Sequence, residues 1–433
     1  MANDEFTTDA NPSENRPRAG GLRGLGPAII VASVVLGPGS ILTSSKVGQQ
    51  YAYSMAWVLV LAGLLMTGMV ALSGRLGVTL PNTLCQELAN RLGRRFAALI
   101  GIVMFLIVAA FQSSNNIAVV TAVEPFMEQS ADADDTKSQL PILILALLNG
   151  VIIAALYGLR RLYVPIERVM KILVLVMIIG FMGNVIFARP SLLGLAQGLI
   201  PHWPDSSDWM PLLGLTATTF SVGGAFYQSY LVREKGWDTS QLRQGVVDSS
   251  VGIAILCFTT LIIMMTSAAV LHGKAIELKT ASDVGQQLEP LFGSSAKVLF
   301  SVGLLAGAIS SFMVNAMVGG TVLADGFGLG WSMDQRWPKA FTVAALLFGM
   351  AVAVAATAFD VSRVGLIIFA QALTVVGVPL LAASLVYLAT RPDLTGERKV
   401  PRLLIGLSIL GTIVTFVLAG KTVVSLYEKL TAA

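Results

Sequence analysis

Leu36-Gly37-Pro38-Gly39-Ser40 lies in the middle of an apolar stretch that runs from 26 to 48 and sets a proline between two glycines. A stretch of that length can cross the roughly 30 Å hydrocarbon layer of a bilayer as a helix. A continuous helix would not choose this sequence, because proline removes a backbone donor and clashes with the preceding turn, while glycine accepts unusual dihedrals. The expected result is a helix that breaks near mid-membrane and starts again. A second stretch of this kind follows at Thr216-Ala217-Thr218-Thr219-Phe220-Ser221-Val222-Gly223-Gly224, where hydroxyl, β-branched and glycine residues interrupt another apolar run. Interrupted helices at matching places in two halves point to a secondary transporter built from inverted repeats. The plainer reading is close helix packing on glycine, and 42 glycines in the chain give it weight.

Working outward, further apolar stretches fall at about 54–74, 97–123, 141–158, 163–187, 210–232, 244–271, 297–322, 340–358, 363–390 and 401–427. The reading is an all-α integral membrane protein of about eleven spans. A tail at 1–24 precedes a transporter domain at 25–433, with repeats at about 26–187 (spans 1–5) and 210–390 (spans 6–10) and an extra helix at 401–427. The chain has 433 residues, of which 55% are hydrophobic and 12% charged, and a mean hydropathy of +0.75. Soluble domains carry about 25% charged residues, so most of this surface does not face water. With the N-terminus in the cytosol and charges near a span end counted with the adjoining segment, cytosolic segments hold 20 of the 29 Lys and Arg and external segments 8; Lys46 alone is counted with neither. That bias orients the chain N-in and C-out in the plasma membrane. It also explains the pI of 9.1 without nucleic acid. Cys85 and Cys257 have no companions for a disulfide framework or zinc site.

Beginning at the first break, the chain resembles the Nramp family of divalent-metal transporters. Gly37-Pro38-Gly39-Ser40 sits where that family has Asp-Pro-Gly-Asn. The chain runs on without a gap into Gln50-Tyr51-Ala52-Tyr53-Ser54-Met55-Ala56-Trp57-Val58, similar to the family's Gln-Phe-Gly-Tyr…Leu-Trp-Val run. Ser73-Gly74-Arg75-Leu76-Gly77-Val78, the stretch from Leu299 to Ala306 with Ser310-Ser311, and Ala370-Gln371-Ala372 with Val378-Pro379 extend the likeness over spans 1 to 10. The resemblance implies a LeuT-type fold with helices 1 and 6 broken. It also implies that the metal ligands are gone. Gly37 and Ser40 replace the Asp and Asn of span 1, and Ser221-Val222-Gly223 stands on the Met-Pro-His motif of span 6. Gln371 matches the span-10 Gln and keeps one neutral oxygen.

A divalent cation leaving water needs compensating charge, and soft metals favour imidazole or sulfur. Acids such as Glu124, Glu167 and Asp248 lie near span ends, and span 3 carries Gln112, Ser113, Ser114, Asn115 and Asn116 where the family has acids for proton movement. The first expectation is therefore a small anion such as bicarbonate, held by Gly37, Gly39, Ser40, Thr43, Ser221, Gly223, Gly224 and Gln371 near two half-helix N-termini. Lys46 joins this set as an ionisable residue within a span, with snorkelling toward the surface as its plainer reading. Sodium is the candidate coupling ion, by analogy with LeuT-type proteins, at Ser33, Leu36, Ser310 and Ser311. The alternative is a Mg(II) or Mn(II) transporter with an altered site, since Mg(II) keeps waters. A neutral-solute carrier and a sensor that kept the fold are weaker readings. No catalytic constellation falls inside the bundle, so neither an enzyme nor a bound cofactor is expected. The expected partners are a small inorganic ion and the lipid bilayer, around a monomer.

Overall fold

The computed structural model describes residues 37–128, 136–158, 160–203, 208–357, 362–395 and 400–432. The principal helices are α1 (Pro38–Tyr51), α2 (Ala56–Thr79), α3 (Arg94–Glu128), α4 (Thr136–Leu156), α5 (Arg160–Ala188), α6 (Met210–Thr219), α7 (Val222–Glu234), α8 (Leu242–Leu271), α9 (Ala296–Phe327), α10 (Arg336–Thr357), α11 (Arg363–Thr374), α12 (Val378–Ala389) and α13 (Arg402–Ala432). No strand occurs among the described residues. Seven helical segments there are long and apolar enough to cross a membrane, or eight if a pair bent by 112° at Ala188–Leu192 counts as one span. The count of eleven remains an expectation. Span 1 enters the structure only from Gly37 onward, span 6 is divided into α6 and α7, and span 4 holds the shorter apolar helix Leu140–Leu156.

Helix ends follow local chemistry. Thr83 caps the short helix Leu84–Leu92 by accepting the Gln86 N–H, and Gly93, at φ 88°, ends it. Gly328 closes α9 in the left-handed region. At the centre, α3 and α9 pack along most of their lengths. Gly319 of α9 leaves room for Val108, since a Cβ there would stand 2.9 Å from that side chain. Lipid offers helices no hydrophobic reason to associate, so close approach through small residues supplies the dispersion contact instead. α10 packs against both central helices, α11 against α3, and α1 against α6 and α8. These contacts bring both predicted breaks against α3.

Candidate functional site

α1 starts at the first break. Gly37 is its N-cap in an extended conformation (φ −92°, ψ −176°), Pro38 follows, and no side chain caps the end. The Ser40 N–H reaches the Gly37 carbonyl at 3.1 Å. Proline is well suited here, because the first helical N–H has no partner within the helix. Gly39 faces α11. A Cβ at this position would fall inside the Gln371 side chain, so the missing side chain makes room for a carboxamide.

Gln371 is 1% exposed. Its Nε2 donates to Ser114 Oγ of α3 at 2.8 Å, and its Oε1 has no partner among the described residues. Thr43 donates to the Gly39 carbonyl at 2.8 Å. Its methyl lies 2.8 Å from where a Cβ would stand on Gly214 of α6. Four helices thus converge on Gly39, Thr43, Ser114 and Gln371. What they offer a ligand is one buried amide oxygen lacking a donor, with hydroxyls beside it. A buried acceptor left unmet is costly, and a cation or a hydrogen-bond donor would satisfy it.

The second break is of a different kind. Phe220 leaves α6 at φ −97°, ψ 62°, and Ser221 begins α7 at φ −79°, ψ 84° without capping it through its side chain. Ser221 is buried and Gly224 half-buried. A Cβ on Gly223 would stand 3.3 Å from the Met104 sulfur and 3.9 Å from Ile107, both on α3. Met104, Ile107, Phe220, Val222 and Ala225 belong to one apolar cluster. Gly223 therefore acts as a packing glycine.

Lys46 sits at the far end of α1. Its Nζ donates to Gln49 Oε1 at 2.9 Å, and Gln49 Nε2 donates to the Ile276 carbonyl at 2.5 Å. Seven residues of helix rise separate it from Gly39, about 10 Å. Of the expected sodium residues, Ser33 and Leu36 lie outside the described residues. Ser310 is half-buried. Ser311 is fully buried and donates to Asn115 Oδ1 at 3.2 Å, with the Gly307 and Ala308 carbonyls also within reach.

The polar run of span 3 forms a neutral seam. Asn115 Nδ2 donates to Gln112 Oε1, Gln112 Nε2 to the Phe312 carbonyl, and Asn149 Nδ2 to Asn116 Oδ1. Amides that answer one another in this way tie α3 to α4 and α9 without charge. Among the described residues no three His, Cys, Asp or Glu come together to hold a metal. Asp325, fully buried near the end of α9, accepts from Tyr230 Oη at 2.7 Å. Two features escaped the sequence reading. One is the 3-10 turn Val375–Gly377 that interrupts span 10 just after Gln371, foreshadowed by Gly377-Val378-Pro379. The other is Gln287, whose Nε2 donates to Ser45 Oγ at 2.9 Å across 242 residues; no local signal marks it.

Residues 28–425 match the family described as natural resistance-associated macrophage protein-like, or Nramp. The chain belongs to the Nramp family. Nramp proteins are transporters, and this chain is a membrane transport protein of that family, not an enzyme. A relative named divalent metal cation transporter MntH, from Deinococcus radiodurans, is 26% identical over 420 residues, covering 94% of this chain and 90% of its own. Another of that name, from Pectobacterium carotovorum, is 27% identical over 309 residues, 69% of this chain and 71% of its own. The solved structure of a manganese transporter of Eremococcus coleocola superposes with a TM-score of 0.74 at 18% identity, covering 98% of this chain and 92% of that one. That likeness establishes the fold as the Nramp, LeuT-type arrangement.

Proposed function

We propose that this Nramp member carries a divalent metal cation, taken with part of its water shell at the α1 break. The observation that carries the reading is the buried Gln371 Oε1, without a partner among the described residues, held over Gly39 by Ser114. An oxygen acceptor that lacks a donor suits a cation better than an anion. Metal-transporting relatives over nearly the whole chain support it. With no acid, imidazole or thioether in the Gln371 group, the preferred cargo is a hard ion that keeps its own waters, Mg(II) ahead of Mn(II).

The second reading is a small anion such as bicarbonate, with or without sodium. What favours it is the lack of an acidic cluster among the described residues, together with half-helices α1 and α7 beginning at the breaks. The relatives lend it nothing, and Lys46, its intended counter-charge, is engaged with Gln49.

Uptake into proteoliposomes distinguishes the two. The full chain is loaded with Mg(II) or Mn(II) outside, and separately with labelled bicarbonate, with and without a sodium gradient. Metal entry is expected, and Gly37→Asp, which supplies a carboxylate at the break, should raise it several-fold. Bicarbonate entry without metal entry, abolished by Gly37→Asp, would replace the cation reading with the anion one.

A further inference from the structure

Away from the α1 break, α2, α6 and α13 line a cavity of about 210 Å³. Trp57 and Leu61 of α2, Thr216 of α6, Phe220 at the break, and Val417 and Lys421 of α13 are among its lining residues. Its walls are almost wholly apolar; the Thr216 hydroxyl is spent within α6 on the Leu212 carbonyl, and two further polar groups belong to lining residues. The Trp57 indole nitrogen is buried with no partner among the described residues, and an indole N–H can only donate. The Lys421 ammonium lies 4.9 Å from the centre of the Trp209 ring, a position that aromatic rings hold by cation–π attraction. Trp209 stands at the start of α6 and Phe220 at its end, so the cavity runs from a cationic aromatic rim to the second break.

α13 is poorly covered by the rest of the protein. Only 17% of its apolar window is buried, and Ile413 and Val417 are 56% and 55% exposed. In a membrane protein such a face meets acyl chains. We propose that this cavity binds one phospholipid with an anionic headgroup. Lys421 pairs with the phosphate, the Trp57 N–H donates to a glycerol-ester carbonyl, and one acyl chain lies between α2 and α13 with its end against Phe220. The orphan indole donor selects an acceptor set just below a phosphate, which a glycerophospholipid carries and a plain hydrocarbon does not. The rim charge selects a net anionic lipid over a zwitterionic one. A bound chain fills the space beside Phe220, which couples lipid occupancy to the backbone break of α6 and α7.

Native mass spectrometry of the full chain in detergent tests this without any transport step, so its outcome is independent of which ion is carried. The chain is titrated with dioleoyl-phosphatidylglycerol and, separately, dioleoyl-phosphatidylcholine. One phosphatidylglycerol should bind about five-fold or more tighter than phosphatidylcholine, the size of one charge-assisted contact. Trp57→Phe keeps the ring and removes the donor, and should weaken that first lipid by roughly two- to ten-fold. Lys421→Gln should erase the preference between the two lipids. Val417→Trp on the exposed face of α13 should exclude the first lipid while leaving both polar groups in place, and it stands in if the Trp57 variant does not fold. Equal binding of the two lipids, or a first phosphatidylglycerol unmoved in Lys421→Gln and Val417→Trp, would overturn the proposal. Displacement by glycerol 3-phosphate at matched concentration would overturn it too, by making a soluble phosphate the occupant.

Discussion

The two helix breaks occupy corresponding places in the chain yet are built from opposite materials. At the α1 break, Gly39 opens space for a buried carboxamide, and Thr43, Ser114 and Gln371 give it a polar lining. At the α6–α7 break, Gly223 opens space for a thioether, and Met104, Ile107 and Phe220 give it an apolar one. A helix start frees backbone N–H groups in either case, and at the first break the buried Gln371 Oε1, unpaired among the described residues, stands near them. The difference teaches that a shared break need not mean a shared role. One break has a ligand oxygen to offer, and the other is a backbone joint set in apolar packing.

The strongest way to break this contrast is Gly39→Val. Its side chain would occupy the space of Gln371, so uptake should fall below detection in proteoliposomes. Overpacking should also cost about 1–3 kcal/mol of stability, read from thermal unfolding. Next is Gln371→Leu, which keeps the volume and deletes the amide. Uptake should drop on the order of ten-fold, the scale of a lost hydrogen-bonding group, with little change in unfolding temperature. Unchanged uptake would move the ligand set away from α11.

Gly223→Ala tests the apolar side of the contrast. The new methyl meets the Met104 sulfur at 3.3 Å, and a flexible methionine can give way. Transport should stay within about three-fold and stability within roughly 1 kcal/mol; abolished uptake would mean that the second break also touches cargo. The smallest effect belongs to a site remote from both breaks. Arg91 pairs with the exposed Asp393, and its hydrogen bond holds that carboxyl below the usual carboxylate range. A lowered folded pKa contributes stability above the unfolded value and loses it as pH falls through the folded one. Asp393→Asn should therefore remove a slight stabilisation at neutral pH and none at strongly acidic pH. With 60% of the Asp393 side chain exposed, solvent screening keeps the effect near the limit of a thermal-shift assay.

Much of the architecture was legible because bilayer physics writes it plainly. Apolar runs, the proline between glycines at 37–39 and the Thr216–Gly224 interruption all report on their own backbone. The small neutral residues at 37, 40 and 221–223, which the resemblance sets on the family's ligand positions, were equally visible, since side-chain identity is local information. Less visible was the partner of each group. Lys46 and Ser40 both lie in span 1, yet Lys46 turns to Gln49, which in turn donates to the Ile276 carbonyl more than 200 residues away. Gly223 and Gly39 both read as glycines beside a break, and only the neighbouring helix distinguishes Met104 from Gln371.

The sequence by itself determined that this chain lives in a membrane, that two of its apolar runs are interrupted by glycine, proline and hydroxyl residues, and that neither interruption carries an acid, histidine or methionine. Each follows from composition or from residue type at a position, and needs no knowledge of what lies opposite. Tertiary structure alone decided that Ser114 holds Gln371 over Gly39 with its oxygen unpaired among the described residues, and that the second break faces sulfur and hydrocarbon. It also decided that Trp57 and Lys421, far apart in the chain, line one apolar cavity. These are relations between helices distant in the chain. Packing sets them through the close approach of small residues, whose contact partners leave no mark in the local sequence.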